Sequence, residues 1–229
     1  MIPYYSDDLV TLYHGDCLDN DEWLTADVLV TDPPFGRSWQ QGKGLRDGNG
    51  GWARSKIKHD GIRGDSGTKT RDDALTKWGT EKRPAIVFGD PLIAQPADAV
   101  QALAYLKPSD AGIRGARGGY RRDLEMIYLV GPWPSGIGGR TSVLRTGGLV
   151  AGPRGIATRA GHPHAKPIDV LESLIMHCPP GVVADPFAGS GSTLVAAVNQ
   201  GRRAVGVEVE ERYCEIIANR LQQQTLTFG

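Results

Sequence analysis

The sequence predicts an α/β protein built on a single, mostly parallel twisted sheet with helices on both faces. Three observations lead there. Short apolar, strand-like runs alternate with helix-compatible stretches over most of the chain. Two of those runs end in an aspartate followed at once by a turn. The 229 residues suffice for one sizeable α/β domain but not for two generous ones.

The strand-like runs fall at residues 9–13, 28–31, 85–88, 124–130, 182–184 and 204–207. Helices are expected at 91–106, in its later part, at 168–177, 192–200 and 212–224, the second of them starting just after a proline. Two segments, 36–84 and 131–161, break the rhythm. They are rich in Gly and basic residues without clear periodicity, and read as long basic loops inserted into one domain spanning 1–229. Loops of that length are uncommon in a compact domain unless they bind something or move.

Composition excludes several classes. Apolar residues make up 40% and charged residues 23%, as in an ordinary folded chain rather than a disordered one. No apolar run approaches the roughly 20 residues of a membrane helix, and the start, MIPYYSDDLV, has no signal-like core. A cytoplasmic protein with no membrane partner is expected. Cys17, Cys178 and Cys214 are too far apart for a disulfide framework or a zinc knuckle. No metal is expected, since the histidines offer no ligand cluster and His162 and His164 flank a proline as local packing would.

Formal charge sums to zero but is unevenly spread. Residues 1–35 carry eight acids and no Lys or Arg; residues 36–83 carry twelve basic against six acidic; residues 112–160 carry eight arginines against two acids. An acidic scaffold with two basic, Gly-rich segments fits a polyanion held by loops, though two solvated loops would read the same way. Lys43, Arg46, Arg54, Lys56, Lys58, Arg114, Arg117, Arg121 and Arg122 are the candidate phosphate contacts.

The sharpest motif is VVADPFAGSGST at 182–193. A short apolar strand ends in Asp185, a glycine turn follows, and a helix-compatible run begins. Gly189 and Gly191 remove side chains where a ligand must approach the backbone. Glu208 closes the next strand, near the ~20-residue offset at which a nucleotide-binding βαβ unit sets an acid against ribose hydroxyls. A P-loop would need lysine where Ser192 stands, and a dinucleotide turn would need glycine where Leu194 stands. The layout favours a nucleoside without phosphates, such as S-adenosylmethionine; a purely structural glycine turn is the alternative on this segment alone.

The second motif is Asp32-Pro33-Pro34-Phe35, at the end of a buried-type strand. Two prolines stiffen the loop and remove donors. What is left is an acceptor pair, the Asp32 carboxylate and the Pro33 carbonyl, beside an aromatic face. That set suits a planar exocyclic amine, whose two N–H groups it can hold while the nitrogen turns tetrahedral and frees its lone pair. Phe35 would stack on a base swung out of its duplex. An Asp-initiated proline turn is the plainer alternative.

Together, DPPF and DPFAGSGS resemble the amino-methyltransferases of DNA acting on N6 of adenine or N4 of cytosine. The order, tetrapeptide before cofactor loop, is that of the circularly permuted β class. The resemblance implies a Rossmann-like methyltransferase fold using S-adenosylmethionine, with double-stranded DNA as partner, the target base flipped, and room for a homodimer. Asp32, Pro33, Pro34 and Phe35 would be catalytic. Asp16, Cys17, Lys166, Asp185, Phe187, Gly189, Ser190, Gly191, Ser192, Thr193 and Glu208 would bind the cofactor, Asp185 and the turn at the methionine end and Glu208 at the ribose. The two inserted loops would contact DNA and recognise the target. Restriction–modification in a bacterium, or a phage acting in one, is the family's setting.

The chain departs from the pattern in carrying Phe35 where tyrosine is usual, so a hydroxyl contact is lost. Asp32 favours adenine, since N4 members more often begin with serine. RNA or protein-amide methylation, or a non-enzymatic DNA-binding module, are the competing readings. Covalent cytosine-C5 chemistry is excluded because no cysteine follows a proline.

Overall fold

Successive residues of a strand point to opposite faces, so each apolar run in the centre of this sheet feeds two cores at once. In the computed structural model, which describes residues 1–36, 67–111, 116–149, 155 and 165–228, with side chains to residue 223, the described strands form one sheet. They are β1 (Tyr5–Ser6), β2 (Val10–His14), β3 (Val28–Thr31), β4 (Ala85–Gly89), β5 (Ala99–Leu106), β6 (Leu124–Val130), β7 (Val143–Arg145), β8 (Val183–Asp185) and β9 (Ala204–Glu208). The described helices are α1 (Lys69–Trp78), α2 (Ile168–Ile175), α3 (Ser192–Asn199) and α4 (Glu211–Phe228), with a 3-10 turn at Glu22–Thr25.

The sheet order is β1-β2-β9-β8-β3-β4-β6-β5-β7. The five strands β2, β9, β8, β3 and β4 run parallel; β6 turns antiparallel against β4, and β5 antiparallel against β6. Val28, Val30, Ile86 and Phe88 face a core shared with α2, α3 and α4. Leu29, Ala85 and Val87 face the other, with Ala74, Leu75 and Trp78 of α1 and with Trp23. The expected helix-covered, mainly parallel sheet is therefore present. Each fully buried large apolar side chain in these layers contributes about 1.5–3 kcal/mol.

Two expectations need correction. Residues 99–106 form strand β5, not the end of a helix. Their alanines and leucines suit a helix locally, but a full ladder with β6, Ala102 opposite Tyr128 and Tyr105 opposite Glu125, overrides that preference. The segment 36–84 also holds a helix. Arg71, Ala74, Leu75 and Trp78 are its buried face, at the i, i+3, i+4, i+7 spacing that the surrounding charges conceal. Gly79 ends α1 in the left-handed conformation at φ 78°, its N–H bonded to Leu75 O and Thr76 O. Similarly, β7 lies inside 131–161, paired parallel to β5.

No described helix is long and apolar enough to cross a membrane.

Candidate active site

Parallel strands deliver their carboxyl ends to one edge, and in this sequence those ends are acidic. Moving across the sheet, Asp16 follows β2, Glu208 ends β9, Asp185 ends β8, Asp32 follows β3 and Asp90 follows β4. Open α/β sheets bind ligands at this edge. Asp32 and Asp185, 153 positions apart (185 − 32), thus open from neighbouring strands, and Thr31 Oγ1 donates to Asp185 Oδ1 at 2.8 Å. The two sequence motifs form one site.

On the glycine-turn side, Asp185 is buried and also accepts the Phe187 N–H. Burial raises its carboxyl to about 6, against the hydrogen bonds of Thr193, Thr31 and the Phe187 amide. Gly189 and Gly191 take φ of 54° and 77°, and a Cβ on Gly191 would stand 2.9 Å from Ile217 Cγ1. Only glycine permits that turn so close to α4. Glu208 grips the turn by accepting Gly189 N–H at 2.7 Å and Glu210 N–H at 2.8 Å. Burial lifts it to about 7 in spite of those two amides. Ser190, Ser192 and Thr193 are buried within the turn and first helical residues, and Arg220 of α4 donates to Ser190 O. Phe187 is half-buried, packed towards the core on the α1 face.

Asp16 is half-buried and accepts the Leu18 N–H at 2.9 Å. Its loop is held by α1: Lys77 Nζ donates to the carbonyls of Leu18 (2.6 Å) and Asn20 (3.1 Å), and Trp23 Nε1 to those of Asn20 and Cys17. The Cys17 side chain belongs to the core of that face, its thiol pushed up to about 12 by burial.

The tetrapeptide side contains more than expected. Pro33 is buried; Pro34 and Phe35 are half-buried, and Phe35 packs on the α2–α4 core. Lys166, expected among the cofactor-binding residues, has its ammonium 2.8 Å from Asp32 Oδ2. The short run from residue 165 into α2 passes this end of β3, which is what brings it there. The same ammonium lies 3.2 Å from Glu125 Oε2, and 5.1 Å from the ring centroids of both Phe35 and Phe88. Lys107 pairs with Glu125 from the other side. Four charges therefore alternate in sign: Lys107, Glu125, Lys166, Asp32.

Burial alone would raise Glu125, but Lys166 and Lys107 outweigh it and hold the carboxyl at about 2. Lys166 is likewise raised, burial being overcome by Asp32 and Glu125. Asp32 is raised by burial against the pull of Lys166. Its second oxygen, Oδ1, is buried and has no hydrogen-bond partner among the described residues. A buried acceptor without a donor is costly unless something supplies one.

Glu125 and Lys107 were not among the expected site residues. A signal existed: Glu125 is a lone acid within the otherwise apolar run 124–130. Its meaning depends on β6 running antiparallel to β4, which brings the start of β6 to the edge where the parallel strands end. Of the candidate phosphate contacts, Arg117 and Arg122 are exposed and Arg121 donates to Asp123 Oδ2 at 2.8 Å. Lys43, Arg46, Arg54, Lys56, Lys58 and Arg114, with His162 and His164, lie outside the described residues.

The acidic edge, the glycine turn and the permuted loop order define a Rossmann-like methyltransferase fold. Solved structures share it. M1.HpyAVI, determined as a complex with SAM, superposes with a TM-score of 0.58 at 17% identity, covering 93% of this chain and 100% of that one. The PvuII DNA methyltransferase (cytosine-N4-specific) gives 0.60 at 16% identity, covering 94% and 87%. Residues 140–219 match the family model for N6/N4 methyltransferases, described as DNA methylase. That segment runs from just before β7 through Lys166 and the glycine turn into α4. The type II methyltransferase M.ScaI of Streptomyces caespitosus is 42% identical over 73 residues, 31% of this chain and 24% of that one. The chain's matches span about a quarter of the length of the curated relatives heading the comparison.

Proposed function

We propose that the chain is an S-adenosylmethionine-dependent DNA methyltransferase that methylates an exocyclic amino nitrogen, N6 of an adenine held out of its duplex. The observation that carries this reading is Asp32 Oδ1, a buried acceptor without a hydrogen-bond partner among the described residues, one strand away from the Asp185–Gly191 turn.

The residues fit the cofactor. Glu208 holds two amide N–H groups with its two oxygens, and each oxygen retains a lone pair for a ribose hydroxyl. Asp185 presents a carboxylate to a cationic α-amino group, and the turn through Gly189 and Gly191 lets the methionine moiety approach backbone. Asp16 lies beyond Glu208 on the neighbouring strand, on the side for the adenine of the cofactor. When bound, S-adenosylmethionine supplies an electrophilic sulfonium methyl group.

The chain's own residues orient the amine and take its proton. Asp32 Oδ1 and the Pro33 carbonyl would accept the two N–H bonds and draw the nitrogen out of conjugation, freeing its lone pair. Asp32 would take the proton that the amine gives up. A carboxyl raised by burial suits that acceptor role. Phe35 stacks on the base, and the prolines hold both acceptors still, which is where most of the rate gain would arise. Asp at the first tetrapeptide position favours adenine over cytosine.

Incubation of purified protein with methyl-labelled cofactor and unmethylated DNA tests the reading, and nucleoside analysis names the base. Asp32→Ala is expected to lower transfer by about 10²–10⁴-fold while cofactor affinity changes by less than about threefold. Folded, cofactor-bound wild-type protein that labels no DNA would refute the proposal.

A further inference from the structure

Asp32 must satisfy two demands in the proposed reaction: one oxygen has to be still, and the other has to be free. The side chain can rotate about two bonds, so something must pin it. Lys166 does so from Oδ2 at 2.8 Å, but a lysine ammonium is itself at the end of a long flexible stem. Lys166 is paired in turn with Glu125, 3.2 Å away and buried on β6, and Glu125 with Lys107 at the outer end of the row. Lys166 and Glu125 are both below a tenth exposed, whereas the Lys107 side chain keeps a quarter of its surface in solvent.

Charges this deeply buried are costly to desolvate, and each member of the row has at least one opposite charge beside it to offset that cost. Glu125 is the member whose two neighbours are both cations, so it sets the distance between them. Its place on a strand, opposite Tyr105 in the ladder, gives it the least freedom of the four.

We propose that Glu125 is a positioning residue for methyl transfer: seated between Lys107 and Lys166, it fixes the Lys166 ammonium on Oδ2 of Asp32, so that Oδ1 alone meets the target amine. The inference rests on the proposed DNA amino-methylation. Glu125 touches neither cofactor nor base in this scheme, and acts through Lys166. Replacing its charge leaves two ammonium groups facing each other and one carboxylate, Asp32, beyond Lys166, so Lys166 is held from one side only and the acceptor pair loses its aim.

The test uses Glu125→Gln in the full chain, with Glu125→Asp and Lys107→Met beside it. Glu125→Gln is expected to lower kcat by about 10- to 100-fold, with KM for DNA and cofactor Kd changed by less than about threefold. Glu125→Asp recovers part of that loss, and Lys107→Met shows a smaller loss of the same kind. A readout independent of turnover is the rate at which an amine-reactive reagent labels Lys166 in cofactor-free protein, followed by mass spectrometry. Lys166 is protected in the wild type and labels faster in Glu125→Gln.

Unchanged kcat in a folded Glu125→Gln protein would overturn the inference. So would a kcat loss matched by equal losses in cofactor binding and melting temperature, which would mark a merely structural charge. If Glu125→Gln does not fold, an unchanged kcat in Lys107→Met overturns it equally. A wild-type protein that methylates nothing fails the proposed function instead, and Lys166 labelling still reports whether Glu125 holds the ammonium.

Discussion

Glu208 shows how a single side chain can hold a site together and also make it sensitive to pH. Its carboxyl, raised to about 7 by burial, binds a proton in the folded chain at pH values where an unfolded one, near 4.5, has lost it. Such a group contributes stability that is complete below about 4.5 and is lost as pH climbs through about 7. Asp185, raised to about 6, acts in the same direction over a lower window. The cofactor-free protein should therefore melt at progressively lower temperature between about pH 4.5 and 7, and Glu208→Gln should flatten the upper part of that fall. Melting curves across this range check it; parallel slopes for wild type and variant would refute it. Cofactor affinity should move the opposite way, since the ionised carboxylate is the better acceptor for two hydroxyls.

Elements carry the site by their ends, and their cores decide how firmly. Helix α1 is a clear case: it sits far from the glycine turn in sequence, yet Lys77 near its end holds three carbonyls of the loop behind Asp16. The helix is anchored by Trp78, which is buried, stacked on Trp23 with centroids 5.8 Å apart and covered by the Arg83 guanidinium. Trp78→Ala should cost about 3–5 kcal/mol, read as a lower denaturant midpoint at unchanged slope. It should also weaken cofactor binding more than it slows transfer from the bound state, because the loop it loosens would lie on the cofactor side in the proposed reading.

Much at this scale was legible in advance. The runs 28–31 and 124–130 became β3 and β6 without adjustment, and the helix after Pro167 begins where the proline implied. Local composition misled at 99–106, where residues of good helix propensity are held extended by β6. It was silent at 69–78, where four buried positions are hidden among six polar ones. In both segments packing against other elements decides the structure, and local composition does not encode it.

For the whole molecule, a net charge of zero conceals a division of labour. The acidic edge of the sheet would hold the cofactor and the amine, and the basic segments would bring the proposed polyanion to it against that edge's own repulsion. DNA affinity should consequently fall steeply with salt, log K against log salt having a slope near −0.9 for every phosphate contacted. Arg117→Ala and Arg122→Ala, both at exposed positions, should weaken binding to all DNA sequences alike. Each should reduce the slope by about one, with kcat at saturating DNA unchanged. A salt-independent affinity would count against DNA as the partner.

The sequence alone determined the two loops. Proline fixes φ, glycine permits the left-handed turn, and an aspartate at the end of an apolar run stays where the strand leaves it, so Asp32–Phe35 and Asp185–Thr193 could be read as local chemistry. Tertiary structure alone decided what faces Asp32. Lys107, Glu125 and Lys166 come from a strand end, an antiparallel neighbour and a helix approach, and only the sheet order brings them within reach of one carboxylate. Short-range preferences set the shape of a turn, whereas a buried row of charges exists only once distant strands have chosen their neighbours.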